Sequence, residues 1–205
     1  MRYRGYSNPG FGIVGYVTIT CIALWIGASI TYKSVYAPGL VGPLQFYPYD
    51  LLHFERPWTV ITSIFLHAPW QADLFYHILF NMITLYFFGT FLVNLIGDKL
   101  FLLIFFLGGI VGNLFYMVIP PNIYPVIGAS GAIFALGGVL MVMRPRLPVF
   151  VFPIPIPIPL WASILGGFLI TYFLAGIAWQ AHLGGLAFGV VAGLFFRYRE
   201  TRRIF

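Results

Sequence analysis

Six apolar stretches, at roughly 12–32, 74–94, 100–119, 130–143, 160–178 and 181–197, decide what this chain can become. Most of them approach the ~20 residues that carry a helix across a bilayer. Of the 205 residues 60% are hydrophobic and 8% charged, against roughly a quarter charged in soluble domains, which leaves too little polar surface to clothe a water-soluble core. The expected fold is an all-α polytopic membrane protein, a single domain over residues 1–205 with six transmembrane helices. The first stretch follows Arg2 and Arg4 but is long and lacks a small-residue cleavage site, so it reads as a span and not as a removed signal. The one cysteine, Cys21, excludes an internal disulfide and reads as core packing.

The net charge of +6 is informative through its placement. An even number of spans returns both termini to one side. Arg2, Arg4, Lys99, Arg144, Arg146, Arg197, Arg199, Arg202 and Arg203 fall on that side, and only Lys33 and Arg56 lie opposite. Basic residues mark the cytoplasmic face, so both termini are expected there. They read as topology signals and contacts with membrane lipids, not as a nucleic-acid surface. A chain this short with this bias fits a prokaryotic plasma membrane.

Residues 33–73 contain Pro38, Pro43, Pro48, Pro57 and Pro69 among many aromatics, too few of them polar for a free linker. Tyr36, Phe46, Tyr47, Tyr49, Trp58 and Trp70 favour the headgroup region, so this first external loop is expected to be structured and partly embedded in the outer leaflet. Asp73 is placed to cap the second helix. In the Pro-Ile repeat 153–159, proline at alternate positions forbids helix and predicts an extended polyproline-like connector at the membrane surface.

The fourth stretch is anomalous. Pro120, Pro121 and Pro125 break the chain, helix can resume only near Ser130, and basic residues end it at Arg144. That leaves about 14 residues, roughly 21 Å of helix against a ~30 Å hydrocarbon core. The helix must begin below the outer surface, and residues 122–129 must line a water-accessible pocket, because non-helical backbone at that depth is otherwise intolerable. His182 precedes Arg197 by about 15 residues, which brings it to the same level. His77 and Asn81, one turn apart on one face of the second helix, lie at or somewhat above that plane. Polar groups at such depth are functional hypotheses by default.

Ser130 stands in Val126-Ile127-Gly128-Ala129-Ser130-Gly131-Ala132. A serine hydroxyl is a weak nucleophile and needs a base, which His182 can supply. Every carboxylate (Asp50, Glu55, Asp73, Asp98, Glu200) lies in a loop or at a helix end, so a Ser-His dyad is expected and not a triad. Gly128, Ala129 and Gly131 allow a substrate backbone to approach, and the Ser130 backbone amide sits at a helix start where donors and dipole suit an oxyanion. Gly128, that amide, His77 and Asn81 make up the candidate oxyanion hole. Gly185, Gly189 and Gly193 recur every four residues after His182, facing Gly131, Ala135 and Gly138, a small-residue pattern that draws helices together. Phe134, one turn after Ser130, is placed either to stack on the imidazole or to fill the core. His53 and His67 have no ligand cluster around them, so no metal or cofactor is expected.

Gly128-Ala129-Ser130-Gly131, His77-Ile78-Leu79-Phe80-Asn81 and Ala181-His182-Leu183-Gly184-Gly185, continuing to Gly189, resemble the motifs of the rhomboid intramembrane serine proteases of the basic six-helix type. The resemblance covers residues 57–195. It implies Ser130 as nucleophile, His182 as base, His77 and Asn81 in the oxyanion hole, and a transmembrane protein substrate cut near the outer end of its span, with water entering from the external face. Three features depart from the pattern. Thr59 stands where arginine usually follows tryptophan, with Arg56 nearby but out of register; Phe134 replaces a common tyrosine; and the His67 to His77 spacing is longer than usual. The rival readings are a non-catalytic rhomboid-like protein that binds or escorts transmembrane clients, and a small transporter. The latter predicts paired midplane charges or inverted repeats, which the sequence does not contain.

Overall fold

Backbone in lipid must satisfy its own hydrogen bonds, so long apolar runs become helices. The computed structural model describes residues 12–34, 36–71, 75–119, 124–151 and 154–202. Arg2, Arg4, Asp73, Pro120, Pro121, Pro153 and Arg203, on which parts of the sequence reading rest, lie outside them. Among the described residues, four helices are long and apolar enough to cross a membrane: α1 (Ile13–Thr31), α4 (Tyr76–Ile96), α5 (Asp98–Val118) and α8 (Trp179–Arg202). Two more, α6 (Ser130–Met143) and α7 (Leu160–Phe173), are equally apolar but have 14 residues each. The loop after α1 carries two short helices, α2 (Pro48–Leu52) and α3 (Thr59–Thr62).

The centre of the molecule is α6, flanked by α4, α5 and α8, with Ala132, Ala135, Leu136 and Val139 fully buried. Glycines allow this close approach. A Cβ added to Gly185 would land on the carbonyl oxygen of Gly131, and one added to Gly189 on that of Ala135. Where α5 joins α6 and α8, Gly112 meets the Ala181 carbonyl of α8, and a Cβ there would stand 2.7 Å from the oxygen. Gly131 faces Ala181 and belongs to this packing seam, in line with its place in the small-residue pattern of α6. At the opposite end Arg144 forks onto Glu200 with bonds of 3.0 and 2.8 Å, fastening the ends of α6 and α8. Outward-facing side chains of α1 and α7 remain apolar, with Ile30 at 78% and Phe173 at 79% exposure; such surface suits lipid and not water.

The Pro-Ile repeat does not run as a free extended rod. Strands β1 (Pro148–Val149) and β2 (Ile158–Pro159) pair antiparallel, and the Leu160 amide bonds the Leu147 carbonyl at 2.9 Å. The chain bends at Pro155 and Ile156 and the pairing folds the segment back on itself. The start of α7 is thereby tied to the end of α6.

The loop between α1 and α4 is held by its own polar contacts. Arg56 bonds the Gly42 carbonyl at 2.8 Å, pairs with Asp50 at 2.6 Å and lies over the Tyr47 ring. Trp58 Nε1 reaches the Pro43 carbonyl at 3.1 Å and Thr62 the Leu44 carbonyl at 2.8 Å. Thr59, fully buried, donates to the Arg56 carbonyl, so the out-of-register arginine organises this loop.

Gly189→Val should force α8 away from Ala135 and lower stability by about 1–3 kcal/mol, the usual cost of overpacking. Gly166→Ala, on α7 where a Cβ meets nothing within 4 Å, should stabilise by about 0.5–1 kcal/mol. Thermal unfolding of both variants in detergent checks the contrast.

Candidate active site

Ser130 is the first residue of α6 and His182 lies one turn into α8. The glycine seam between these helices brings the side chains together: Ser130 Oγ and His182 Nε2 are 2.7 Å apart. His182 is 4% exposed. Its ring stacks on Phe134 with centroids 4.7 Å apart and planes at 29°, and Phe134 packs against the core as well, so that residue fills both of its expected placements. Phe134 in turn meets Phe168 of α7 edge-on. The remaining ring nitrogen, Nδ1, is 3.0 Å from the hydroxyl of Thr171 on α7, an uncharged residue in the place where a triad would hold a carboxylate. No local sequence signal points to it; the turn at Gly176, with φ of +80°, folds α7 back beside α8.

The backbone that leads into Ser130 is irregular but not unsupported. Val126 and Phe46 exchange two backbone bonds, at 3.1 and 2.9 Å. The Gly128 amide donates to the Ser63 carbonyl at 3.0 Å. Ser63 is fixed from the other side by Asn113, whose Nδ2 donates to its hydroxyl at 2.9 Å and to the Val60 carbonyl at 2.8 Å. Asn113 is a buried amide inside an apolar helix, so the rule that picked out His77 and Asn81 could also have found it.

The Gly128 N–H is committed to the Ser63 carbonyl, so what this residue offers the site is the space beside its backbone. Its φ of +128° is one that side-chain-bearing residues rarely adopt, and its missing side chain leaves a space. A Cβ placed there would stand 3.0 Å from His77 Nε2 and 3.6 Å from Ser130 Oγ. The vacancy in front of the hydroxyl is thus bordered by the His77 ring. The Ser130 amide, in the first turn of α6, has no carbonyl four residues back within the helix to occupy it.

Asn81 is buried on the same face of α4, and its amide donates to the His77 carbonyl at 2.7 Å. His67 is fully buried beside His77, ring centroids 5.1 Å apart. Burial first, and the neighbouring His77 second, hold the His67 imidazole well below its usual pKa. It is the uncharged neighbour of the site. His53 sits apart, its ring stacked on Tyr49.

A hydroxyl at hydrogen-bond distance from an imidazole, beside a glycine-lined space with a helix amide and a second imidazole at its edge, has the groups that acyl transfer requires. Comparison with known proteins shows the family. The Rhomboid domain family model matches residues 55–199. YdcA of Bacillus subtilis (strain 168), which carries a provisional rhomboid protease name, is 34% identical over 146 residues, 71% of this chain and 70% of that protein. RHOMBOID-like protein 12, mitochondrial, of Arabidopsis thaliana is 33% identical over 158 residues, covering 65% of this chain and 45% of its own length. Rhomboid protease GluP of Bacillus subtilis (strain 168) is 35% identical over 136 residues, 66% of this chain and 25% of that protein. A protein named Inactive RHOMBOID-like protein 8, also from Arabidopsis thaliana, is similar as well. With the family model covering well over half the chain, this protein belongs to the rhomboid family.

Proposed function

We propose that this protein is an intramembrane serine endopeptidase that hydrolyses peptide bonds in or near the transmembrane segments of membrane-anchored substrates. The 2.7 Å contact between Ser130 Oγ and His182 Nε2 carries the reading. His182 takes the hydroxyl proton as Ser130 Oγ attacks the substrate carbonyl carbon. The oxyanion develops in the space left by Gly128, next to the His77 ring and the Ser130 amide, with Asn81 holding the α4 end of that wall. His182 then returns the proton to the leaving amine, and water cleaves the acyl-enzyme by the reverse exchange.

Six membrane segments, the four long helices with α6 and α7, give the arrangement its topology. Both termini lie on the basic side, and the site opens to the opposite, external face. The short α6 is what sets the hydroxyl below the surface: its 14 residues rise roughly 21 Å in a ~30 Å core. Transmembrane proteins are the substrates and membrane lipids the surroundings, with no metal or cofactor in the reaction. The plasma membrane of a prokaryote fits the charge bias, although mitochondrial proteins are among the relatives.

Purified protein incubated in liposomes with a transmembrane reporter should cleave it, and Ser130→Ala and His182→Ala should each abolish cleavage. Cleavage that survives either substitution contradicts the dyad, and binding without cleavage by the unaltered protein favours the client-escorting alternative. Asn81→Ala should lower kcat by roughly a hundredfold, the scale of losing oxyanion support, with KM little changed; an effect confined to KM would remove Asn81 from the transition state. Single cysteines at Arg2 and Arg203, in a Cys21→Ala background, should react with an impermeant reagent from the same side of sealed vesicles. Opposite sides would overturn the even span count.

A further inference from the structure

We propose that Thr171 is the positioning residue of His182, the neutral third member of a Ser130–His182–Thr171 relay in which α7 sets the imidazole tautomer. The inference rests on the reading of His182 as base. A histidine can accept the serine proton only if Nε2 is bare, which requires the ring proton to sit on Nδ1. Some acceptor must hold that proton, since a buried N–H without a partner is costly. Among the described residues, the group at hydrogen-bond distance from Nδ1 is the Thr171 hydroxyl, at 3.0 Å.

A hydroxyl can either donate or accept, so its own hydrogen has to be accounted for. Thr171 Oγ1 is also 2.9 Å from the Phe168 carbonyl, three residues back on α7. A carbonyl only accepts, so the Thr171 hydrogen goes to Phe168 and its oxygen lone pairs face His182. The directions then run one way: Ser130 O–H donates to Nε2, Nδ1–H donates to Thr171 Oγ1, and Thr171 O–H donates to the Phe168 carbonyl. When the Ser130 proton moves to Nε2, the imidazolium keeps Nδ1–H on Thr171, and no proton need pass beyond the ring. A carboxylate in this place would add a full charge. Thr171 adds orientation and a dipole, which suits an apolar setting where an unpaired charge would be expensive.

The placement also makes the relay depend on α7. The fully or nearly buried residues of that helix, Leu160 and Ile164, belong to its first turns, next to the β1–β2 pairing. At its other end Thr171 and Phe168 are the side chains that meet the site, through His182 and Phe134, while Tyr172 and Phe173 are exposed. Displacing that end of α7 therefore removes the acceptor for Nδ1–H and leaves the tautomer free to reverse.

Thr171→Val keeps the shape and removes the hydroxyl; Thr171→Ser keeps the hydroxyl. In the full-length protein with 15N-labelled histidine, the unaltered chain and Thr171→Ser should show the Nδ1–H tautomer for His182, assigned by its loss in His182→Ala, and Thr171→Val should show Nε2–H. With the transmembrane reporter, Thr171→Val should lose roughly ten- to a hundredfold in kcat with KM little changed, the scale seen when a histidine-orienting partner is removed, and Thr171→Ser should restore it to within a few fold. A Thr171→Val protein that keeps both tautomer and kcat overturns the proposal, as does a Thr171→Ser protein as impaired as Thr171→Val. If the unaltered protein cleaves nothing yet its tautomer reverses in Thr171→Val, the relay stands and the protease reading fails.

Discussion

Two backbones that nearly touch hold the rest in place. α6 and α8 approach until the Gly185 and Gly189 positions of one abut the Gly131 and Ala135 carbonyls of the other, and only residues without a side chain permit it. Without a hydrophobic drive between helices in lipid, such van der Waals contact is the main source of association. It also sets a chemical distance, because Ser130 and His182 project from this seam within about a turn of its outer end. A displacement of about 1 Å can cost a hundredfold in rate for groups that must share a proton. The glycines are thus part of the chemistry although none touches a reacting atom.

The second constraint is the irregular backbone just ahead of Ser130. In lipid, open amides and carbonyls would cost several kcal/mol each. The loop between α1 and α4 meets that demand: Phe46 pairs with Val126, the Ser63 carbonyl takes the Gly128 amide, and Asn113 of α5 anchors Ser63. This connects two parts of the chain that read separately in the sequence. The loop, itself clamped by Arg56 on Gly42 and Asp50, is the scaffold that lets α6 start deep, and the vacancy at Gly128 survives because its neighbours are bonded elsewhere.

Much of this is legible from local chemistry. The bounds of α6 follow from prolines before it and Arg144 after it, and the convergence of Ser130, His182 and His77 follows from counting residues at helical rise. What the sequence withheld depends on partners distant along the chain. That the Gly128 amide is taken by Ser63, 65 positions earlier, has no local signature, and neither does the pairing that folds the Pro-Ile segment back. Thr171 is an ordinary helix hydroxyl until the α7–α8 turn swings it onto Nδ1 of His182. Asn113 is different: a buried amide in an apolar helix is legible by the same rule that singles out His77 and Asn81.

The central claim is that Ser130 is a hydroxyl activated by His182 in a recess within the membrane. A fluorophosphonate reagent tests it without any choice of substrate, since an activated serine oxygen bonds to phosphorus, fluoride departs, and the hydroxyl proton passes to the base. Mass spectrometry of the membrane-reconstituted protein should find a single phosphonyl adduct on the peptide containing Ser130, absent from the His182→Ala protein. An adduct on another hydroxyl, or one on Ser130 that forms equally well without His182, would contradict the account.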